Sequence, residues 1–153
     1  MYIPNRFKAY ELVDKETYNT LSDKAFEKID ERLLKFIDNL SKALEEFYSI
    51  RIRLVCNNWH WHKNPKAADY FQWRGWRNEN YKLFNKNSFH GKVPCKALDL
   101  DSPDLPAKAL INFVLLKQNE DWCKDIGGVE IGVNWLHADL RKRSGNKIIT
   151  FRA

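Results

Sequence analysis

Apolar residues recur every three or four positions between Ser22 and Tyr48, the spacing that places them along one face of an α-helix. We therefore predict a long amphipathic helix over this range, with the Ser22 hydroxyl capping its first turn. Residues 1–20 lack this period, and we expect an irregular arm with one short helical turn opened by Asp14. The apolar stripe is expected to face the core and consists of Phe26, Ile29, Leu33, Ile37, Leu40, Leu44 and Phe47.

The middle of the chain changes from an alternating to an aperiodic sequence. Residues 50–54 alternate Ile or Leu with Arg, which predicts a half-buried strand. Residues 57–90 are rich in Asn, Trp, His and Lys without a period, and loops of this length are often functional. Residues 101–118 predict a second helix, with Ser102 as its cap and Pro103 in its first position. The predicted inner stripe of this helix is Leu105, Ala109, Phe113 and Leu116.

The last third of the chain has the two-residue period of β-structure. The alternating apolar residues are Val129, Ile131, Val133 and Trp135. The same face continues to His137 and Asp139. Gly145 and Asn146 predict a tight turn before a final strand over residues 147–151. Because helices precede and separate strands that we expect to be antiparallel, the sequence predicts one α+β domain with a small antiparallel sheet.

Composition narrows the class of protein without choosing a function. Hydrophobic residues make up 44% and charged residues 30% of the 153, as in an ordinary globular domain. The net charge of +6 favours attraction to nucleic acid, anionic lipid or bacterial wall polymers, although it also serves solubility alone. Three cysteines without a CxxC pair do not predict a disulfide framework. Since no signal-peptide core and no membrane-spanning stretch is present, we expect synthesis in the cytoplasm and no membrane insertion.

Two histidines and one carboxylate stand out as candidate metal ligands. His90 precedes a short apolar run that contains Asp99, and His137 lies on a predicted strand with Asp139 projecting to the same side. Two His and one carboxylate form a common ligand set for catalytic zinc, which leaves a fourth position for water. Zinc lowers the pKa of that water towards about 7, and a neighbouring carboxylate such as Asp139 can accept its proton.

Four short segments follow one family pattern: Ser-Phe-His at 88–90, Ala-Leu-Asp at 97–99, Trp-Leu-His-Ala-Asp at 135–139 and Arg-Gly-Trp-Arg at 74–77. They resemble the motifs of zinc peptidases that cut D-amino-acid bonds in peptidoglycan, the D-alanyl-D-alanine carboxypeptidases and the phage L-alanyl-D-glutamate endolysins. The resemblance spans about residues 30–143. It implies packed helices and a small sheet around a zinc cleft. In that cleft His90, Asp99 and His137 would hold Zn²⁺, and Arg77 would contact the substrate.

Three features depart from the family pattern. His90 and Asp99 are nine residues apart, where the family usually has seven, and Arg74 replaces a Ser. Asn134 occupies the position that many members fill with a catalytic Glu or Asp, three residues before the last His. An amide cannot act as the base, so this position puts the identity of the proton acceptor in question.

Two carboxylates are candidates for that proton acceptor. We predict Asp139, because it shares a face with His137 on a regular strand. Glu130 is the alternative, but it precedes His137 by seven residues and would point to the opposite face of an unbroken strand. A bulge or turn at Gly132 would reverse that direction.

Three functions compete at this stage. The leading one is a zinc-dependent peptidase that hydrolyses a peptide bond of the peptidoglycan stem peptide. As a phage-encoded lysin it would act as a monomer, on the wall after release or as a virion component. The second is a non-catalytic relative that binds a peptide or wall fragment, which Asn134 favours. The third, ranked last, is a nucleic-acid binder, suggested by the net charge and by the aromatic-rich residues 59–77. His60 and His62 stay open between a second metal site and a polar rim of the cleft.

Overall fold

The computed structural model describes residues 1–61 and 71–152, and it confirms the predicted α+β fold. Within these residues, three α-helices share one hydrophobic core with a four-stranded sheet. No helix in them has the length and apolar character needed to cross a membrane. The helices are α1 (Lys15–Leu21), α2 (Glu31–Tyr48) and α3 (Ala107–Leu116), and the strands are β1 (Ala97–Leu100), β2 (Gly128–Glu130), β3 (Leu136–Asp139) and β4 (Ile149–Phe151).

The sheet has the strand order β1-β3-β2-β4. β3 pairs antiparallel with β1 and β2, as predicted, whereas β4 pairs parallel with β2. Both edges of β3 are occupied, so β4 adds to the free edge of β2 instead of pairing back on β3. Since side chains alternate between the two faces of a strand, one face of the sheet is apolar and the other carries the candidate ligands. The apolar face consists of the buried residues Leu98, Leu100, Val129, Leu136 and Ala138.

The prediction of one continuous strand over residues 129–139 is wrong, because the chain turns back between β2 and β3. Gly132 lies in this turn with a φ of +84°, a left-handed conformation that glycine adopts at no steric cost. In the resulting hairpin Gly128 pairs with Asp139 and Val129 with Ala138, and this register extended by one residue places Glu130 opposite His137. Residues opposite each other in an antiparallel pair point to the same face, so the turn brings Glu130 to the face of His137.

The predicted helix over Ser22–Tyr48 begins nine residues later than expected, at Glu31. Asp30 caps it by accepting a hydrogen bond from the N–H of Arg32 at 3.1 Å. Ser22 instead ends α1 with a positive φ, and the 3-10 helix Ser22–Lys28 begins at the same residue. Asp14 is confirmed as the cap of α1. Of the predicted stripe, Phe26, Ile29, Leu33, Ile37, Leu40 and Leu44 are buried and Phe47 is exposed.

Two further elements differ from prediction in their bounds. Residues 50–54 form no strand, although Ile52 and Leu54 are buried as the alternation predicts. α3 begins after Pro106 and not at Pro103, because the Ser102 hydroxyl closes a separate turn ahead of the helix. The exposure of Leu116 shows that the inner face of α3 is rotated from the predicted stripe. The buried residues of α3 are Leu110, Ile111, Phe113 and Val114.

Candidate metal centre

The fold brings the three predicted metal ligands together. Asp99 lies in β1 directly opposite His137 in β3, so the two side chains emerge side by side. His90 comes from the loop before β1, where its ring Nδ1 lies 2.8 Å from the carbonyl oxygen of Gly75. With Nδ1 donating to that carbonyl, the lone pair of His90 Nε2 points at the other two residues. We call His90, Asp99 and His137 the metal cluster, and within the described residues it is the group whose ligand atoms converge closely enough to hold an ion.

The ligand atoms of the metal cluster form one triangle. His90 Nε2 lies 3.4 Å from both His137 Nδ1 and Asp99 Oδ1, and His137 Nδ1 lies 2.8 Å from Asp99 Oδ1. A tetrahedral ion with bonds of about 2.0–2.1 Å has ligand-to-ligand edges of about 3.3–3.4 Å. Two of the three edges already have that length, and the third is a direct hydrogen bond that an ion would replace. The cluster therefore fits one face of a tetrahedron, with a fourth position left open.

Protonation balances the charge of the metal cluster. Burial alone would lower the pKa of His137, but its contacts with Asp139 and Asp99 outweigh burial and raise that pKa to about 9. Burial would likewise raise the pKa of Asp99, and the contacts with His137 and His90 hold it below its usual range instead. His137 is therefore a cation between carboxylates at neutral pH, and a metal ion would take over the charge of that proton.

Asp139 lies beside His137, as the strand predicts. It lies at the Nε2 side of the His137 ring, however, whereas Asp99 and His90 lie at the Nδ1 side. Its Oδ2 is 3.2 Å from His137 Nε2, whereas the triangle uses Nδ1 on the other side of the ring. Its side chain is fully buried, and although burial would raise its pKa, bonds from His137 and Arg141 hold that pKa at about 2. A carboxylate in this position fixes the orientation of a histidine ligand. This geometry does not direct Asp139 at a water molecule in the open fourth position.

Glu130, the alternative base, lies on the metal face of the sheet. It ends β2 and is opposite His137 by the register of the hairpin, so that Asp99, His137 and Glu130 form a row across three strands. Neighbouring side chains in such a row have Cβ atoms about 5 Å apart. Glu130 is buried, and its carboxylate makes neither a hydrogen bond nor an ion pair with the part of the chain that the structure describes.

Arg77 contacts the metal cluster through Asp99. Its Nη2 donates to Asp99 Oδ2 at 2.9 Å, on the oxygen that does not face the histidines, and its Nε donates to the carbonyl of Trp73 at 2.6 Å. The guanidinium also lies 5.2 Å from the ring of Tyr81. Arg77 thus lies at the predicted site, next to the metal cluster, and is held there by Asp99, Trp73 and Tyr81.

A cleft of about 550 Å³ opens beside Asp99. Arg74 forms part of its wall, stacked 3.7 Å from the ring centre of Phe71 and ion-paired with Asp101. Because Arg74 and Arg77 each have an aspartate partner, these pairs are neutral, and a bound dication would make the cleft positive. We call it the aromatic cleft, and it is lined by Phe71, Gln72, Trp73, Arg74, Arg77, Tyr81, Asp99 and Trp135.

The remaining candidate residues lie away from the metal cluster. His60 packs against Tyr10, with ring centres 4.4 Å apart, and is not part of the cluster. His62 lies outside the described residues. Asn134 is exposed in the turn between β2 and β3 and lines a neighbouring groove. Sequence reasoning missed the carbonyl of Gly75, since a backbone group carries no residue signature.

No family model, curated protein or solved structure gives a significant match to the chain. The resemblance to zinc peptidases therefore depends on the motif residues and on the geometry in which the fold places them.

Proposed function

We propose that the protein is a zinc-dependent peptidase that hydrolyses a peptide bond in the stem peptide of bacterial peptidoglycan. The observation that carries this proposal is the triangle of two imidazole nitrogens and one carboxylate oxygen beside an open cleft. A set of two nitrogens and one oxygen in a tetrahedral arrangement suits zinc, whereas magnesium and calcium prefer six or more oxygen ligands. When bound, zinc would supply a Lewis acid that polarises the scissile carbonyl and lowers the pKa of a water molecule towards about 7.

Glu130 is the residue that we assign as general base. Three carboxylates occupy the metal face of the sheet, and two of them are already ion-paired, Asp99 with Arg77 and Asp139 with Arg141. Glu130 has no such partner among the described residues, so it is free to accept the proton of the attacking water and pass it to the leaving amine. This assignment reverses the order of preference that the sequence suggested.

Arg77 and the aromatic cleft would bind the substrate. The N–H groups of Arg77 that are not used by Asp99 and Trp73 are available to a substrate carbonyl or carboxylate. Stem peptides carry free carboxylates, which suit a cleft that becomes positive when a dication is bound. In keeping with the motif resemblance, we propose that the protein is a phage lysin that acts on the wall as a monomer, after release or within a virion.

The test combines metal analysis with release of peptide from purified peptidoglycan. We expect about one zinc per chain, and loss of that zinc in His90→Ala and in His137→Ala, because each removes one of three protein ligands. His60→Ala is the matched control and should keep zinc, since His60 is outside the metal cluster. Failure of the parent protein to take up zinc would refute the metal centre. Zinc-loaded protein that binds peptidoglycan but releases no peptide would support the non-catalytic binding module instead.

A further inference from the structure

We propose that Arg141 is a positioning residue that selects the metal-binding nitrogen of His137 by acting through Asp139. This inference rests on the proposed metal centre, and it assigns a role to Arg141, which neither the motif resemblance nor the metal cluster includes. Arg141 lies just beyond β3, two residues after Asp139.

Arg141 holds the Asp139 carboxylate by four hydrogen bonds. Its Nε lies 2.8 Å from Oδ1 and 3.0 Å from Oδ2, its Nη2 lies 2.6 Å from Oδ2, and its backbone N–H donates to Oδ1 at 3.0 Å. A forked guanidinium fixes both the plane and the rotation of a carboxylate in a way that a lysine ammonium cannot. Asp139 Oδ2 therefore has one position, 3.2 Å from His137 Nε2.

That position decides which nitrogen of His137 is available to an ion. A neutral imidazole carries its proton on one nitrogen and its lone pair on the other. Both ring nitrogens of His137 face a carboxylate oxygen, which can only accept: Asp139 Oδ2 at Nε2 and Asp99 Oδ1 at Nδ1. Asp99 is itself a proposed ligand, so an ion would take the place of the proton on Nδ1, whereas Asp139 lies outside the metal cluster and keeps the proton on Nε2. Nδ1 is the atom that faces Asp99 Oδ1 and His90 Nε2. Arg141 thus prepares His137 for the ion without touching it.

Packing from two neighbouring strands keeps the guanidinium of Arg141 in place. Its carbon Cζ lies 3.7 Å from the ring centre of Phe151 in β4. Phe151 also meets the ring of His137 edge-on, with ring centres 5.6 Å apart. Gly128 in β2 leaves room for the ion pair of Asp139 and Arg141, because a Cβ at this position would lie 2.5 Å from Asp139 Oδ1 and closer still to Arg141 Nε. The ion pair of Asp139 and Arg141 therefore requires a glycine at position 128.

The experiment measures zinc affinity of the full chain by competition with a chromophoric chelator. Arg141→Met should weaken zinc binding by up to about 10- to 100-fold, because it releases Asp139, and this is the range found when the hydrogen-bond partner of a metal-binding histidine is lost. Gly128→Ala should weaken it as well, because the added methyl group displaces the same pair. Arg53→Met is the matched control: Arg53 forms a similar forked pair with Asp104 on the surface, and zinc affinity should stay at the parent value.

Two further measurements separate positioning from general destabilisation. In ¹⁵N-labelled, zinc-loaded parent protein, NMR of the His137 ring should report a proton on Nε2 and metal on Nδ1. Arg141→Lys keeps the charge and should still show a mixed or altered ring state, and this variant replaces Arg141→Met if the latter does not fold. Parent affinity and an unchanged ring state in either folded variant would overturn the inference. Failure of the parent protein itself to bind zinc would overturn the metal centre on which the inference rests.

Discussion

The positive charge of His137 predicts how the unfolding free energy of the metal-free protein depends on pH. Its pKa is about 9 in the folded chain, against an ordinary value of 6.5. A raised folded pKa stabilises the protonated native state, so the contribution is fully present below pH 6.5 and is lost as pH rises towards 9. The difference between the two pKa values corresponds to about 3 kcal/mol of unfolding free energy. Since the side chain of His137 is only 11% exposed, solvent screening reduces this little.

Zinc should reverse the sign of this dependence. Binding at Nδ1 requires a neutral ring, so a bound ion replaces the proton, and zinc affinity should rise about tenfold per pH unit below the pKa of His137. Urea unfolding at several pH values between 6.5 and 9, with and without saturating zinc, measures both trends. The metal-free protein should lose stability across this range, and the stabilisation added by a fixed zinc concentration should grow.

One outcome would refute this account of the metal cluster. If the metal-free protein keeps or gains stability from pH 6.5 to 9, His137 is not held as a cation between Asp99 and Asp139. Asp139→Asn offers a check on the cause, because it removes one of the two carboxylates and should flatten the dependence. At the acid end the sign is opposite: Asp139, with a pKa of about 2, contributes stability that is lost as pH falls from about 4 towards 2.

Three other predictions follow from the same geometry. Glu130→Gln should keep zinc and lower peptide release by about 10²- to 10⁴-fold, the usual contribution of a general base, whereas loss of zinc would show a structural role. Arg77→Lys should keep zinc and the fold but lower turnover about a hundredfold, and unchanged turnover would make Arg77 a support for Asp99 alone. Because burial raises the pKa of Cys95 to about 12 and that of Cys123 to about 11, native cysteines should resist thiol reagents at pH 8 and react only after denaturation.

The metal cluster could be predicted from the sequence because its members carry both a residue signature and a spacing. His137 was placed on a strand by its apolar neighbours, and that strand exists as β3. The Ala-Leu-Asp segment of the motif resemblance predicts its partner Asp99, and the structure places Asp99 directly opposite His137. Strand pairing is a long-range contact, however, and nothing in the local sequence around either residue states which strands become neighbours.

The position of Glu130 shows what a local pattern cannot provide. Alternation over residues 129–139 is the same for one long strand and for two short strands joined by a turn. Only the positive φ at Gly132 distinguishes them, and it reverses the face to which Glu130 points. The sequence period also cannot predict which nitrogen of His137 faces Asp139. A period predicts the face to which a side chain points but not its rotamer.

In the proposed reaction, Arg77 and Arg141 would allow the metal face to carry three carboxylates and still favour a substrate with developing negative charge. Arg77 neutralises Asp99 and Arg141 neutralises Asp139, each by a direct ion pair. Of the three acidic side chains, only Glu130 would then offset a bound dication, and in the proposed reaction it would lose its charge on accepting a proton from water. In the proposed reaction, this transfer would remove the negative charge of Glu130 as the carbonyl oxygen of the substrate acquires its own, so that no unpaired carboxylate would oppose the oxyanion when its stabilisation accelerates the reaction. Removing either arginine would add an uncompensated negative charge at that step and oppose it.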